Sequence, residues 1–361
     1  MLITAHRRTL KRVSLSAIFE EAAARRVFPG GVVFCARDEQ TSAHQAFGTT
    51  AYEDAISRPV TRETLYDLAS VSKLFTLTAF LIAKREAQIS ENELLSRFLP
   101  EFDSDDKRAI TLRHLMMHSA GFGFHLQRLR GEPCALWIEK IADAPLESVP
   151  GERVNYTCTA YFLLARVVEK LCGDLIVEFI EDALLRPLNV SIKTMFAPLE
   201  KWSSDLIAPT ELEPDGAPCH GMVHDEAARQ WWEAGHGFCG NAGLFATARG
   251  LARFCGLWLN DGEDILHPDD VKSAFADTLL ENDEGAVHRG WGWQKDNKTY
   301  TCSAPPGCFG HQGFTGPTLF LNPHARDIVI VLNNRVYPSR NGPARFVYHR
   351  RIAQEHFAKF Q

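Results

Sequence analysis

No run in this chain approaches the roughly twenty consecutive apolar residues of a membrane span, which argues against a membrane-embedded protein. Basic charge is not in excess either. The 39 Lys and Arg stand against 45 Asp and Glu, and the net charge of −6 disfavours nucleic acid or an anionic membrane as principal partner. His6, Arg7, Arg8, Lys11 and Arg12 near the N-terminus are followed by no apolar core. That stretch does not read as a secretory signal, and the expected location is cytoplasmic. The 9 cysteines are too sparse and irregular for a disulfide scaffold and are expected as reduced thiols. Cys219, His220, His224, His236 and Cys239 fall close together, and His114 with His118 has helical ligand spacing. No paired Cys-x-x-Cys or His-Glu-x-x-His pattern accompanies them, so a metal site is the weaker reading. No glycine-rich phosphate loop leads into a helix, and neither repeats nor low-complexity tracts occur.

What remains is a globular chain of 361 residues, 45% hydrophobic and 23% charged, long enough for two sub-domains. Ser14 opens an amphipathic helix over 14–22, and Pro29-Gly30 then breaks the chain. Residues 31–37 and 43–48 read as two strands of a meander. From about Glu63 to Gly235 the pattern is mainly helical, with candidates at 71–85, 111–118, 134–143, 158–172 and 175–186. Helical periodicity returns at 247–259. Strand-like runs follow at 289–294, 307–312, 317–322 and 327–333, and a helix closes the chain over about 344–359. Strands at both ends around a helical middle imply one α/β unit built from both termini, with a helical insertion.

Within the helical part, Ser70-Val71-Ser72-Lys73 heads a long apolar run. Residues three apart share a helix face, so the Lys73 amine can reach the Ser70 hydroxyl. A serine needs a base to become a nucleophile, and a desolvated lysine with a lowered pKa can be one. The same spacing at Ser104-Asp105-Asp106-Lys107 lies in a charged, turn-like stretch and reads as solvated surface. Two further stretches stand out. Pro150-Gly151-Glu152-Arg153-Val154-Asn155-Tyr156-Thr157-Cys158 is a turn entering a helix. Gly310-His311-Gln312-Gly313-Phe314-Thr315-Gly316 is a glycine-rich strand with a hairpin partner at 318–323.

The order Ser-x-x-Lys, Tyr-x-x, His-x-Gly resembles the serine hydrolases of the class C β-lactamase and penicillin-binding-protein superfamily, in particular its esterase-like branch, the family VIII carboxylesterases. Supporting likenesses run through Ile110–Gly121, Val223–Glu226, Ala242–Thr247 and Asn334–Pro338, so the resemblance covers nearly the whole chain. It implies an α+β, β-lactamase/transpeptidase-like fold, an antiparallel sheet flanked by N- and C-terminal helices. The sub-domains would be 1–62 with 236–361, and a helical insertion over 63–235, with the active site at their interface.

Carried over residue by residue, the resemblance implies Ser70 as acylated nucleophile, with Lys73 and Tyr156 moving its proton. A phenol titrates near about 10, and a neighbouring ammonium stabilises its phenolate. The backbone N–H groups of Ser70 and Phe314 would form the oxyanion hole. His311, Gln312, Gly313 and Cys158 would contact substrate, and Gly313 would let the strand approach it closely; Trp293, from its position beside Gly292, is a further candidate substrate contact. No cofactor is implied. Two departures bear on substrate. The third motif usually begins with Lys in β-lactamases and here begins with His311, mostly neutral at pH 7. The second commonly ends in Asn and here ends in Cys158, a weak donor and acceptor. Both remove features that serve antibiotic recognition, so a small ester is the expected substrate.

Alternatives stay open at this level. An amide-directed β-lactamase, D-amino-acid peptidase or biosynthetic acyltransferase fits the same motifs, and so does a non-catalytic binding protein. Tyr156 has a core-tyrosine reading, and the tripeptide Tyr-Thr-Cys recurs at Tyr300. His311 has a reading as a strand histidine satisfied by backbone. Trp291 and Trp293 are either acyl-pocket walls or core aromatics. Loops 122–133 and 281–290 are the expected pocket walls.

Overall fold

The computed structural model describes residues 14–52, 56–190, 204–276, 278–282, 285–295, 307–343, 346–357 and 359. The basic N-terminal residues, Tyr300 and part of the 281–290 loop lie outside the described residues.

The chain opens with α1 (Leu15–Ala24), where the Ala17 N–H donates to the Ser14 Oγ cap at 3.2 Å. Then come β1 (Gly30–Arg37), β2 (Gln40–Gly48) and the short β3 (Tyr66–Asp67). The helical part holds α2 (Lys73–Glu86), α3 (Leu112–Met116), α4 (Trp137–Asp143), α5 (Cys158–Cys172), α6 (Ile176–Ile180) and α7 (Glu226–Trp231). After β4 (Phe245–Ala246) follow α8 (Ala248–Leu259) and α9 (Pro268–Ala274). The remaining strands are β5 (Thr278–Asn282), β6 (Gly285–Arg289), β7 (Gln294–Lys295), β8 (Phe309–Gln312), β9 (Thr318–Asn322) and β10 (Asp327–Asn333), and α10 (Phe346–Phe357) ends the fold.

Eight strands form one antiparallel sheet in the order β2-β1-β10-β9-β8-β7-β6-β5. The first hairpin is therefore closed by the last strand, with Val33 opposite Val331. Side chains alternate across the sheet with period two. Val32, Phe34, Leu319, Leu321, Ile330 and Leu332 point into a core shared with α2, α5 and α8. Val33, Cys35, Phe320, Val329 and Val331 point the other way, against Ile18, Phe19, Tyr348, Ile352 and Phe357 of α1 and α10. This is the expected α+β architecture, a sheet flanked by both terminal helices with a helical region between its strands. Among the described residues no helix is long and apolar enough to cross a membrane.

Local expectations fared unevenly. The helix over 158–172 coincides with α5. The run 289–294 is not one strand. It breaks between β6 and β7, because the Trp291 N–H donates to the Ala274 carbonyl at 3.0 Å. A Cβ on Gly290 would stand 1.9 Å from that carbonyl oxygen, and Gly292 has φ +71°. At the second Ser-x-x-Lys, Ser104 donates to Asp106 at 2.7 Å and Lys107 pairs with Asp106 at 2.6 Å. The Lys107 side chain is buried, not solvated as expected.

Candidate active site

Ser70 does not lie inside an α-helix. It belongs to a 3-10 turn, Ala69–Ser72, that leads into α2 at Lys73. In that geometry residues three apart eclipse one another. Lys73 Nζ donates to Ser70 Oγ at 3.0 Å. Ala69, just before the serine, has φ +44°, a left-handed conformation that a non-glycine residue adopts only at a cost. Buried Asp67 holds it there: Oδ1 accepts the Ala69 N–H at 2.7 Å and Oδ2 accepts the His224 N–H at 2.9 Å. The Asp67 carbonyl also accepts the Thr315 hydroxyl at 2.7 Å, tying the serine turn to the loop after β8. Sequence reasoning passed over Asp67; its signal was a carboxylate two residues before a turn.

Tyr156 is positioned by the segment after α3. The Gly151 N–H donates to Ser119 O at 2.7 Å and the Asn155 N–H to His118 O at 2.8 Å. The His118 ring lies 4.4 Å from the Tyr156 ring, centroid to centroid. These bonds bring the phenol beside Lys73, whose Nζ is 5.1 Å from the ring centroid. Cys158, the first residue of α5, accepts from Lys73 Nζ at 3.6 Å, and the Asn241 carbonyl accepts at 3.1 Å.

β8 runs against the serine turn. A Cβ on Gly313 would sit 2.3 Å from the Leu68 carbonyl oxygen, so glycine permits this strand-to-turn contact as well as approach to a ligand. Among the described residues, neither the Ser70 nor the Phe314 amide donates to a backbone carbonyl, whereas the adjoining amides of Val71 and Gly313 do, at 3.0 and 2.8 Å. The two expected oxyanion donors are thus unspent.

Ser70, Tyr156, Cys158, Gln312, Gly313 and Phe314 all line one cavity of about 880 Å³. Gln127 and Arg130 of the 122–133 loop line it too, as do Arg335 and Arg340. Two expected substrate contacts do not reach it. Trp293 is 0% exposed and packs on Trp258 and Phe275 at 5.5 and 5.4 Å, because the turn at Gly290–Gly292 aims it into the core. His311 is 1% exposed on the inner side of β8, its Nδ1 3.1 Å from the Gln312 carbonyl.

The electrostatics depart from expectation at Lys73. Burial, the largest influence, pulls its pKa down, but Cys158 and Tyr156 beside it and Asp225 beyond outweigh that, and the net shift is upward. The surroundings thus raise the amine's pKa instead of lowering it as expected. His311 goes the other way: burial, then Lys73 and Arg289, push it well below the usual histidine range. His118 is lowered likewise by burial, Arg289 and Lys73. Sequence reasoning missed Arg289 altogether. It ends β6, is buried, and places its guanidinium carbon 5.7 Å from the Tyr156 ring centroid.

The histidines of the metal reading are engaged separately. His114 Nδ1 accepts the Thr111 N–H at 3.2 Å in the α3 cap, His220 Nε2 meets Ile207 O at 2.7 Å, and His224 Nε2 meets Glu211 at 2.9 Å. Among the described residues no group of three or more metal-ligating side chains is assembled.

Residues 15–354 match the family described as Beta-lactamase. The chain is 29% identical over 351 residues to the Escherichia coli O157:H7 protein named "Putative D-alanyl-D-alanine carboxypeptidase", covering 85% of this chain and 79% of that one. It superposes on the solved structure of EstCE1, a hydrolase with promiscuous acyltransferase activity, with TM-score 0.73 at 20% identity over 94% of this chain and 97% of that chain. It superposes on a class C beta lactamase with TM-score 0.74 at 15% identity over 96% and 97%. Those structural likenesses, at such identities, speak to the fold.

Proposed function

The chain belongs to the Beta-lactamase family of serine hydrolases, and from that premise we propose that it cleaves small carboxylic esters through an acyl-enzyme on Ser70, with little or no β-lactam turnover. One observation carries the reading: Ser70 Oγ sits 3.0 Å from the buried Lys73 Nζ at the wall of a cavity that Tyr156 shares. With Lys73 held protonated, Tyr156 in its anionic form takes the serine proton as Oγ attacks the carbonyl carbon. Lys73 stabilises that anion and orients Oγ. The N–H groups of Ser70 and Phe314 receive the oxyanion; losing one such donor costs about 10²–10³ in rate. Collapse expels the alkoxide, which takes the proton back from Tyr156. Water then attacks the acyl-Ser70 by the same route in reverse. Cys158 and the inward-turned His311 leave the cavity without two polar groups that would hold a β-lactam, which favours the ester.

A second reading, an amide-directed D-amino-acid peptidase, is favoured by Arg335. Its side chain lines the cavity and donates to carbonyls, Phe314 O at 2.9 Å and Arg340 O at 3.2 Å, so that its cation, on which Glu211 also acts, stands in the wall that a substrate carboxylate would meet. The name of the Escherichia coli relative points the same way.

The test is a panel of short-chain nitrophenyl esters, a D-alanyl-D-alanine peptide and a chromogenic cephalosporin, with adducts mapped by intact mass. Ester turnover with label on Ser70 is expected, and Ser70→Ala should lose at least about 10³-fold. Peptide turnover above ester turnover would move the assignment to the second reading, and full ester activity in Ser70→Ala would remove the nucleophile.

A further inference from the structure

Arg289 is a buried guanidinium with an unusual set of neighbours. Among the described residues its Nε and Nη2 have no hydrogen-bond partner. Among the described residues no carboxylate is among the charges that bear on it. Burial lowers its pKa, and only the phenols of Tyr161 and Tyr156 act in the opposite sense. Arginine keeps its proton even so. A buried, unpaired cation is among the costlier things a fold can hold, so an anion is expected to complete it.

The groups around Tyr156 narrow the candidates. Lys73 comes from α2, His118 follows α3, Tyr161 lies on α5, His311 on β8 and Arg289 on β6, with Asp225 farther off. Both histidines are held neutral by burial and by the two cations. Tyr161 is committed as a donor to Met116 O at 3.1 Å, and burial pushes its pKa far up. Tyr156 alone among these phenols opens on the cavity.

We infer that Arg289 is a positioning residue for the reaction, a guanidinium with no carboxylate partner among the described residues whose charge favours the anionic form of Tyr156. This rests on the reading above, in which Tyr156 carries the serine proton. The cation sits over the ring, 5.7 Å from its centroid, within the range of cation–π attraction, and that attraction strengthens when the phenol oxygen bears a charge. Lys73 supplies one cation from the serine side, and Arg289 supplies a second from the sheet side.

The sign is fixed by the charge. Removing a nearby cation disfavours the anion, so the acid limb of kcat/KM must move to higher pH. In Arg289→Met the limb is expected to rise by about one unit or more, with activity at pH 7 down about tenfold and recovering as pH is raised. Arg289→Lys should keep most of the wild-type profile. Thermal melting should be unchanged or raised in Arg289→Met, since an unpaired buried charge has gone. A loss of the same factor at every pH, or no loss at all, would overturn the inference. Should Arg289→Met not fold, the profile of Arg289→Lys decides: a limb within a few tenths of wild type supports the charge, and one displaced by a full unit overturns it. Wild-type labelling of Ser70 by a fluorophosphonate is run alongside. Its absence counts against the hydrolase reading, while labelling with unshifted Arg289 profiles counts against Arg289 only.

Discussion

On the face of the sheet covered by α1 and α10, the buried polar groups are paired. Asp327 binds Arg37 Nη2 at 2.6 Å and His356 Nε2 at 3.1 Å. His349 stands between Thr318 Oγ1 and Asn333 Nδ2, 2.8 Å from each. Around Ser70, across the same sheet, His118 Nε2, Thr157 Oγ1, both polar atoms of the Asn241 side chain, Arg289 Nε and Nη2, His311 Nε2 and Gln312 Oε1 have no partner among the described residues. An unsatisfied buried group costs about 1–3 kcal/mol, so the two faces are under different demands. One face holds the termini together. The other tolerates local violations around the site: Gln312 lines the cavity itself, while His118, Thr157, Asn241, Arg289 and His311 lie behind its wall.

Tyr156→Phe is the sharpest way to separate the faces. It should lower kcat/KM by about 10²–10⁴ while leaving the melting temperature near wild type. A loss below tenfold would reduce Tyr156 to a packing residue.

Asp327→Asn should do the reverse. Removing one partner from a buried ionic network costs about 3 kcal/mol or more of unfolding free energy, read by urea denaturation, with kcat/KM per folded molecule unchanged. Burial raises the Asp327 carboxyl, but His356 and Arg37 outweigh it and hold it below its ordinary value of 3.8. Its contribution is therefore whole above that value and is lost as pH falls from 3.8 through the lower folded-state value. Wild type should lose stability in that acid window, and the Asn variant should lose less. Equal acid sensitivity in the two proteins would place the linkage elsewhere.

Trp293→Phe is the smallest test. Buried among Trp258 and Phe275, the residue should cost about 1–2 kcal/mol on shortening and leave KM for the ester unmoved. A tenfold rise in KM would return it to the substrate pocket.

Read along the chain, periodicity and composition determined a good deal. The helix over 158–172, the run Ile328–Leu332 that becomes the core of β10, and the pairing of Ser70 with Lys73 are local facts, since each depends on residues within a few turns or one strand. Motif order determined which distant stretches to bring together, and Tyr156, Cys158 and the Gln312–Phe314 edge do line one cavity with Ser70. Three matters were decided only by tertiary structure. Trp293 turns into the core because the end of α9 packs against Gly290. The Lys73 pKa is raised because Cys158 and Tyr156, from the start of another helix, outweigh its burial. Arg289 reaches Tyr156 because strand β6 lies two places from β8 in the sheet order. A local pattern reveals which face of an element is apolar, but not which element will lie against it. Charge states follow from that second fact, because desolvation and Coulomb terms depend on distance in space.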